Sequence, residues 1–316
     1  MDASISIEGI KDAARLIDPV FKDTPQFNCE PLSDRIGVTT VLKVECVNPI
    51  RSFKGRGTDY LVQRLSGDDP LVCASAGNFG QGMAYACRKA GRHLTVFAAA
   101  TANPLKVERM RALGAEVVIG GEDFDAAKDA AKRRAQNRGE LYIEDGLLGP
   151  IAEGAGTIAL ELTSEAPFDA AFVPLGNGSL VNGIGTWLKH ASPSTRVIAV
   201  CAAGSPAMEL SWRAGKPVAA ASTTIADGIA VRVPVPEALT IMRMTVDEVM
   251  LVSDTEILAA MRALFADAGL VVEPAGAAGV AAIMHRRSEL AGMRVATPLC
   301  GGNLTSAQVA QWLLAL

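Results

Sequence analysis

The stretch AAFVPLGNGSLVNGIG, residues 170–185, changes character part-way along. Its first half is an unbroken apolar run ending in small residues, the pattern of a strand buried on both faces. It then passes Gly176, Asn177, Gly178 and Ser179 and enters a helical pattern through Leu180. A strand that turns through glycines into a helix brings several backbone N–H groups together at the helix N-terminus, a geometry that suits a dianionic phosphate. Two better-known phosphate loops are excluded by the letters. A P-loop needs Lys-Ser/Thr after its last glycine, but Gly183 is followed by Ile184 and Gly185. A dinucleotide fingerprint needs glycine three residues beyond Gly178, where Val181 stands. The loop reads as a cup for a phosphate that belongs to neither ATP nor NAD. Taken alone, a glycine-rich turn without a ligand is the alternative.

The same strand-to-helix alternation extends outward in both directions. Strand candidates are VLKVE (41–45), PLVCAS (70–75), LTVFAAA (94–100), EVVIG (116–120), RVIAVCAA (196–203) and ATPLCGG (296–302). Helix candidates between them include residues 80–91, 104–115, 124–139, 156–166 and 253–269. This order predicts an α/β chain with open parallel sheets and right-handed crossovers. In such sheets ligands bind at the carboxyl ends of the strands.

Three further loops occupy such ends or lie near them. In CASAGNFGQG (73–82), Ser75, Ala76, Gly77, Asn78 and Phe79 are placed so that backbone amides can close around a carboxylate, and the Asn78 side chain can donate to an oxygen. TPLCGGN (297–303) offers Cys300 at a strand end; a lone cysteine there is commonly a small buried hydrophobe. NPIRSFKGRG (48–57) sets Lys54 between a Ser-Phe pair and two glycines. A lysine at a helix start feels the positive end of the dipole, which favours the neutral, nucleophilic amine. Neutral amines form Schiff bases with carbonyls, including pyridoxal phosphate. In isolation, a solvated lysine between Arg51 and Arg56 is the simpler reading.

Composition narrows the function classes. The 316 residues are 49% hydrophobic and 20% charged, with a net charge of −4, so nothing marks a nucleic-acid or anionic-membrane surface. No apolar run reaches transmembrane length and the N-terminus does not read as a signal peptide, so a cytoplasmic location is expected. The six cysteines, at 29, 46, 73, 87, 201 and 300, form no CxxC, and no disulfide framework or zinc site is indicated.

Together the motifs are more specific than any one of them. SFKGRG, SAGNFGQG, PLGNGSL with TIADGIAV (224–231), and VEPAGAAGV (272–280) with CGGN resemble, in order and spacing, the fold type II pyridoxal-phosphate enzymes. The threonine/serine dehydratase branch, with its serine racemase relatives, is the nearest match, over residues 24–303. The resemblance implies a tryptophan-synthase-beta-like fold of two domains. A large cofactor-binding domain would comprise residues 1–49 and 146–316, and a small substrate-carboxylate domain residues 50–145.

Pyridoxal 5'-phosphate is the implied cofactor and Lys54 the implied catalytic residue, bonded to it as a Schiff base and acting as base at Cα once released. The resemblance further implies that Gly176, Asn177, Gly178, Ser179 and Leu180 cradle the phosphate and that Ser75 to Phe79 hold the substrate carboxylate. Asn78 would also reach the phenolic oxygen, Phe53 would pack beside the ring, and Cys300 would face the pyridine nitrogen with Glu273 close behind. An uncharged thiol there leaves that nitrogen unprotonated, which suits elimination better than transamination. The implied reaction is β-elimination from a β-hydroxy amino acid such as L-threonine, L-serine or 3-hydroxyaspartate, giving a 2-oxo acid and ammonia, with the cofactor phosphate protonating the leaving hydroxyl. A racemase, a β-replacement enzyme and a non-enzymatic cofactor-binding protein are the rival readings.

Departures from the family pattern bear on the substrate. Ile50 and Arg51 replace the usual Thr-Gly before Ser-Phe-Lys, and Phe79 replaces a usual His. Arg51 could favour an acidic substrate side chain through a charge-assisted pair, with a surface arginine as the alternative. Ala76 stands where racemase relatives carry the serine that serves the second face of the substrate. Ala203 stands at a cation-binding glutamate of those relatives, so no metal site is expected. The chain ends soon after CGGN, so no regulatory ACT-type domain is expected. The implied partners are a small amino-acid substrate and a second copy in a homodimer, with neither nucleic acid nor membrane.

Overall fold

Two sheets, made of ten strands among the described residues, organise the computed structural model, which describes residues 3–314. The strands are β1 (Gln26–Asn28), β2 (Thr39–Val44), β3 (Leu71–Ala74), β4 (Leu94–Ala98), β5 (Glu116–Ile119), β6 (Leu141–Ile143), β7 (Ala170–Pro174), β8 (Arg196–Ala202), β9 (Glu248–Val252) and β10 (Arg294–Leu299). One sheet has the order β1-β2-β10-β7-β8-β9, parallel throughout except for the antiparallel edge pair β1–β2. The other has the order β5-β4-β3-β6 and is wholly parallel. The inner strands β3, β4 and β7 are buried along their full length. That is what helices on both faces of a parallel sheet require, and it explains why these strands read as unbroken apolar runs.

The strands that the apolar pattern does not announce are β1, β6 and β9. β1 and β6 have three residues each and lie at sheet edges, and β9 is a half-exposed edge strand. The largest helix correction concerns residues 156–166, where the helix is Gly149–Leu162, opened by Pro150 at its first turn. Its glycines at 149, 154 and 156 weaken the sequence signal, yet they are what its packing uses.

The helix Lys54–Arg64, the helix Gly149–Leu162 and the helix Ser179–Ala191 meet backbone to backbone. A Cβ on Gly57 would overlap the Ile151 carbonyl oxygen, and one on Gly183 would overlap that of Ala152. A Cβ on Gly154 would lie 2.5 Å from Gly57 Cα. Only glycine permits this approach.

A buried ion cluster pins the first two of these helices to the strand β2 side of the core. Arg56, fully buried, donates from Nε and Nη2 to the two Glu45 oxygens at 2.9 Å each and from Nη1 and Nη2 to Glu161 at 2.6 and 2.9 Å. Thr157 and Thr24 accept its remaining contacts at 2.9 and 3.1 Å. Lys43, also buried, pairs with Glu161 at 2.6 Å. Arg56 is therefore a structural member of the Lys54 helix, not a surface charge.

Candidate active site

The carboxyl ends of both sheets open on a cavity of about 490 Å3. Of the residues singled out above as site candidates, Phe53 and Lys54, Ser75 to Phe79, Gly176 to Leu180, Glu273 and Cys300 line it, and Arg51 does not. Short parallel strands deliver these loops to one place. β3 leads into residues 75–77 and β7 into residues 175–178, while β10 leads into Cys300. A bridge between Ser52 and Gly301 sets the lysine loop against the last of them.

Lys54 is the first residue of its helix, as the sequence predicts. Its Nζ lies 2.6 Å from Asp145 Oδ2 and 3.0 Å from Ser179 Oγ, and 4.7 Å from the centre of the Phe53 ring. The helix dipole is thus not the only field at this amine; a carboxylate shares it. Ser179 ties the amine directly to the glycine loop.

That loop is an open helix start. Gly178 precedes the helix Ser179–Ala191 with φ of 100°, and no side chain caps the first amides. First-turn N–H groups have no partner inside a helix. Glycine at 176 and 178 lets the loop lie close against its neighbours. A Cβ on Gly176 would lie 3.0 Å from the Gly228 oxygen, and one on Gly178 would lie 3.0 Å from the Ala238 Cβ.

Across the cavity, Ser75 Oγ accepts from Gly77 N at 3.2 Å and Gly80 N at 2.9 Å, which folds residues 75–80 into a tight entry to the helix Asn78–Ala90. The first-turn amides of Asn78 and Phe79 remain free for a carboxylate by helix geometry. The Asn78 side chain is oriented by its neighbours. It donates to Glu273 Oε1 at 2.5 Å and accepts from Asn303 Nδ2 at 2.9 Å, so one amide hydrogen is left to offer.

Glu273 is fully enclosed, and burial holds its carboxyl above the usual range, with the Asp227 charge adding and the Lys106 ammonium opposing. Lys106 is buried between two carboxylates, 2.8 Å from Asp227 and 3.7 Å from Glu273. Burial works against its charge, but those carboxylates outweigh it and raise its pKa. Burial, reinforced by Glu273, pushes the Cys300 thiol far above its ordinary value, so it stands in the cavity wall as a neutral group.

Sequence reasoning passed over Asp145, Lys106 and Asp227. Lys106 lies inside a helix pattern, and Asp227 lies inside a quoted motif without being singled out. Asp145 had a usable signal, because it follows β6 in LYIEDG, residues 141–146. A three-residue edge strand was too short to draw attention to its own carboxyl end.

Arg51 does not join the site. Its side chain is exposed and absent from the cavity wall, which agrees with the surface-arginine reading and not with a contact to a substrate side chain. Its φ of 51° is left-handed, which explains why a glycine is usual at this place. The turn is fixed around it. Asn48 Oδ1 accepts from Ile50 N and Ser52 N at 3.2 Å each, and the Arg51 carbonyl accepts from Gly302 N at 2.9 Å.

The sequence profile of the family described as "Pyridoxal-phosphate dependent enzyme" matches residues 17–301. The chain belongs to this family. It is 34% identical over 305 residues to an L-threonine ammonia-lyase of Thermotoga maritima, covering 95% of this chain and 76% of that one. An L-threonine ammonia-lyase of Geobacter sulfurreducens is 38% identical over 279 residues, 86% of this chain and 69% of its own. Among solved structures, maize serine racemase superposes with a TM-score of 0.91 at 26% identity, covering 97% of this chain and 96% of that one. The processed form of threonine deaminase isoform 2 from Solanum lycopersicum superposes at 0.89 with 27% identity, over 98% and 94%.

The residues present fit pyridoxal phosphate. An uncapped, glycine-rich helix start suits its phosphate, and a primary amine held 3.0 Å from Ser179 suits its aldehyde. The cavity volume falls within the roughly 300–1,000 Å3 of small-molecule sites.

Proposed function

We propose that this protein is a dehydratase that eliminates water from a β-hydroxy amino acid, L-threonine or L-serine, and releases a 2-oxo acid and ammonia. One observation carries the reading: the Lys54 amine, the glycine-rich phosphate cradle and the carboxylate-binding loop all face a single cavity. The relatives' threonine ammonia-lyase names support the choice of reaction.

Bound pyridoxal phosphate would supply the electron sink that acidifies the substrate Cα–H. The protein does the rest. The amides of Gly176 to Leu180 would hold the phosphate, with the Ser179 hydroxyl beside Lys54. The amides and hydroxyl of Ser75 to Phe79 would fix the substrate carboxylate, and the free Asn78 amide hydrogen would serve the cofactor's phenolic oxygen. Phe53 would pack against the ring, and Cys300, backed by Glu273, would present an uncharged thiol to its nitrogen. Lys54 takes the proton from Cα on one face. On the other face, Ala76 has no exchangeable proton to return, which favours elimination over inversion.

We further assign residues 50–145 as the small domain that closes on the carboxylate and the remainder as the large domain, in a cytoplasmic homodimer. Those assignments rest on the family resemblance. The test is to incubate the cofactor-loaded protein with L-serine and L-threonine and to measure 2-oxo acid and enantiomer composition. The expected result is 2-oxo acid with almost no D-serine or D-allo-threonine, a normal yellow colour, and no turnover in Lys54→Ala. Inverted amino acid formed as fast as 2-oxo acid would overturn the assignment in favour of a racemase.

A further inference from the structure

Besides Lys54, the cavity wall holds the cations Lys106, Lys128 and Arg232, and they are not buried alike. The side chains of Lys128 and Arg232 are 23% and 40% exposed, whereas that of Lys106 is only 2% exposed. Lys106 also runs along the carboxylate loop. A Cβ on Gly77 would lie 3.4 Å from Lys106 Cδ and 3.5 Å from its Nζ. The ammonium is therefore set against the middle of residues 75–79, at the entry to the helix Asn78–Ala90.

This is an unfavourable place for a cation. Lys106 stands in the first turn of its own helix, Pro104–Ala112, and its ammonium lies at the start of a second. Both are the positive end of a helix dipole, where anions are favoured and cations are not. Burial opposes the charge as well, and it persists because Glu273 at 3.7 Å and Asp227 at 2.8 Å overcome that penalty and raise the pKa. Neither carboxylate is given wholly to Lys106. Asp227 is half-exposed to solvent, and Glu273 also accepts from Asn78 at 2.5 Å and from the Asn303 amide at 3.1 Å. Two helix starts and a buried ammonium thus bring positive potential to one loop, an arrangement that an arriving anion explains.

We propose that Lys106 is the charge that selects an ionised carboxylate at residues 75–79, an inference that rests on the placement of the substrate carboxylate proposed above. The loop amides supply directional hydrogen bonds, and a neutral carbonyl oxygen can accept those as well as a carboxylate can. The ammonium supplies what tells an anion from a neutral amide. It acts from beside Gly77 as a positioning residue, and the low dielectric of an enclosed site strengthens its pull.

Glycine and glycinamide differ at the carboxylate and carry no β-leaving group, so their binding is read apart from elimination, by the absorbance change of the cofactor-loaded protein. The unmodified protein should bind glycine about tenfold or more tighter than glycinamide. Lys106→Met should cut that preference by ~10-fold through weaker glycine binding, with glycinamide held within about threefold. For L-serine the same variant should raise KM by ~10-fold and keep kcat within about threefold, the split left by lost uniform binding. Equal weakening of both ligands, or failed cofactor uptake, overturns the proposal in favour of a structural role for Lys106. An unchanged preference overturns it in favour of selection by the loop amides alone. If the unmodified protein shows no preference for glycine, the placement of the carboxylate falls and takes this inference with it. If the preference is present but neither L-serine nor L-threonine yields 2-oxo acid, the dehydratase reading falls alone, and the glycine titration still decides the role of Lys106.

Discussion

Arg56→Met tests whether the buried ion cluster fixes the helix that carries Lys54. The substitution removes six hydrogen bonds and leaves Glu45 enclosed with only the Thr24 hydroxyl, 2.5 Å away, as a side-chain partner. Glu161 suffers less, because Lys43 remains 2.6 Å from it. Breaking a buried pair by removing one partner costs about 3–5 kcal/mol, most of it from the stranded charge. For a chain of this length, at about 2 °C per kcal/mol, the melting temperature should fall by ~6–10 °C. Replacing the stranded carboxylate as well tests the cause: Arg56→Met with Glu45→Leu should recover more than half of the loss, since a well-packed apolar pair is often as stable as a buried ion pair. The assay is urea and thermal unfolding of all four members of the cycle, with cofactor content measured below each transition. A loss under ~1 kcal/mol in the single variant, or a double variant no more stable than the single, would refute the account of Arg56 as a charge buried for its partners.

Two other outcomes follow from neighbouring residues. Burial raises the Glu161 carboxyl, but Arg56 and Lys43 outweigh it and hold the group below its ordinary value of 4.5. A depressed carboxyl stabilises the fold above the unfolded value and loses that contribution as pH falls through the folded one. Unfolding free energy should therefore decline below about pH 4.5, and Glu161→Gln should flatten the decline; an unchanged slope in that variant would contradict the pairing. Arg51→Gly should raise stability by ~0.5–1 kcal/mol, because relief of a left-handed φ slightly exceeds the entropy that glycine loses on folding. It should also leave the ratio of kcat/KM for 3-hydroxyaspartate and threonine unchanged, and a tenfold change in that ratio would place the guanidinium at the substrate after all.

The glycine loop, the carboxylate loop and Lys54 were legible because each couples a strand end to a helix start with small residues, and that chemistry is local in sequence. What escaped notice depends on partners far along the chain. Arg56 reads as a surface charge until Glu45 and Glu161 close around it, the latter 105 residues away. Asp145 gains meaning only from Lys54, 91 residues earlier. The helix Gly149–Leu162 was misplaced because its glycines count against a helix in isolation and in favour of one when another backbone lies against it. Arg51 invited a role through its charge, whereas its backbone angle is the informative property.

The contacts at Gly57, Gly154 and Gly183 make the span from lysine to phosphate cradle a property of the main chain. Main-chain contacts have no rotamers to sample, so this span does not vary as nearby side chains move. The walls of the cavity are built differently, from loops such as residues 75–79 and 224–233 whose side chains can be exchanged without pushing the three helices apart. A descendant of this scaffold could thus change its diet one wall residue at a time, while the distance that its chemistry depends on is inherited untouched.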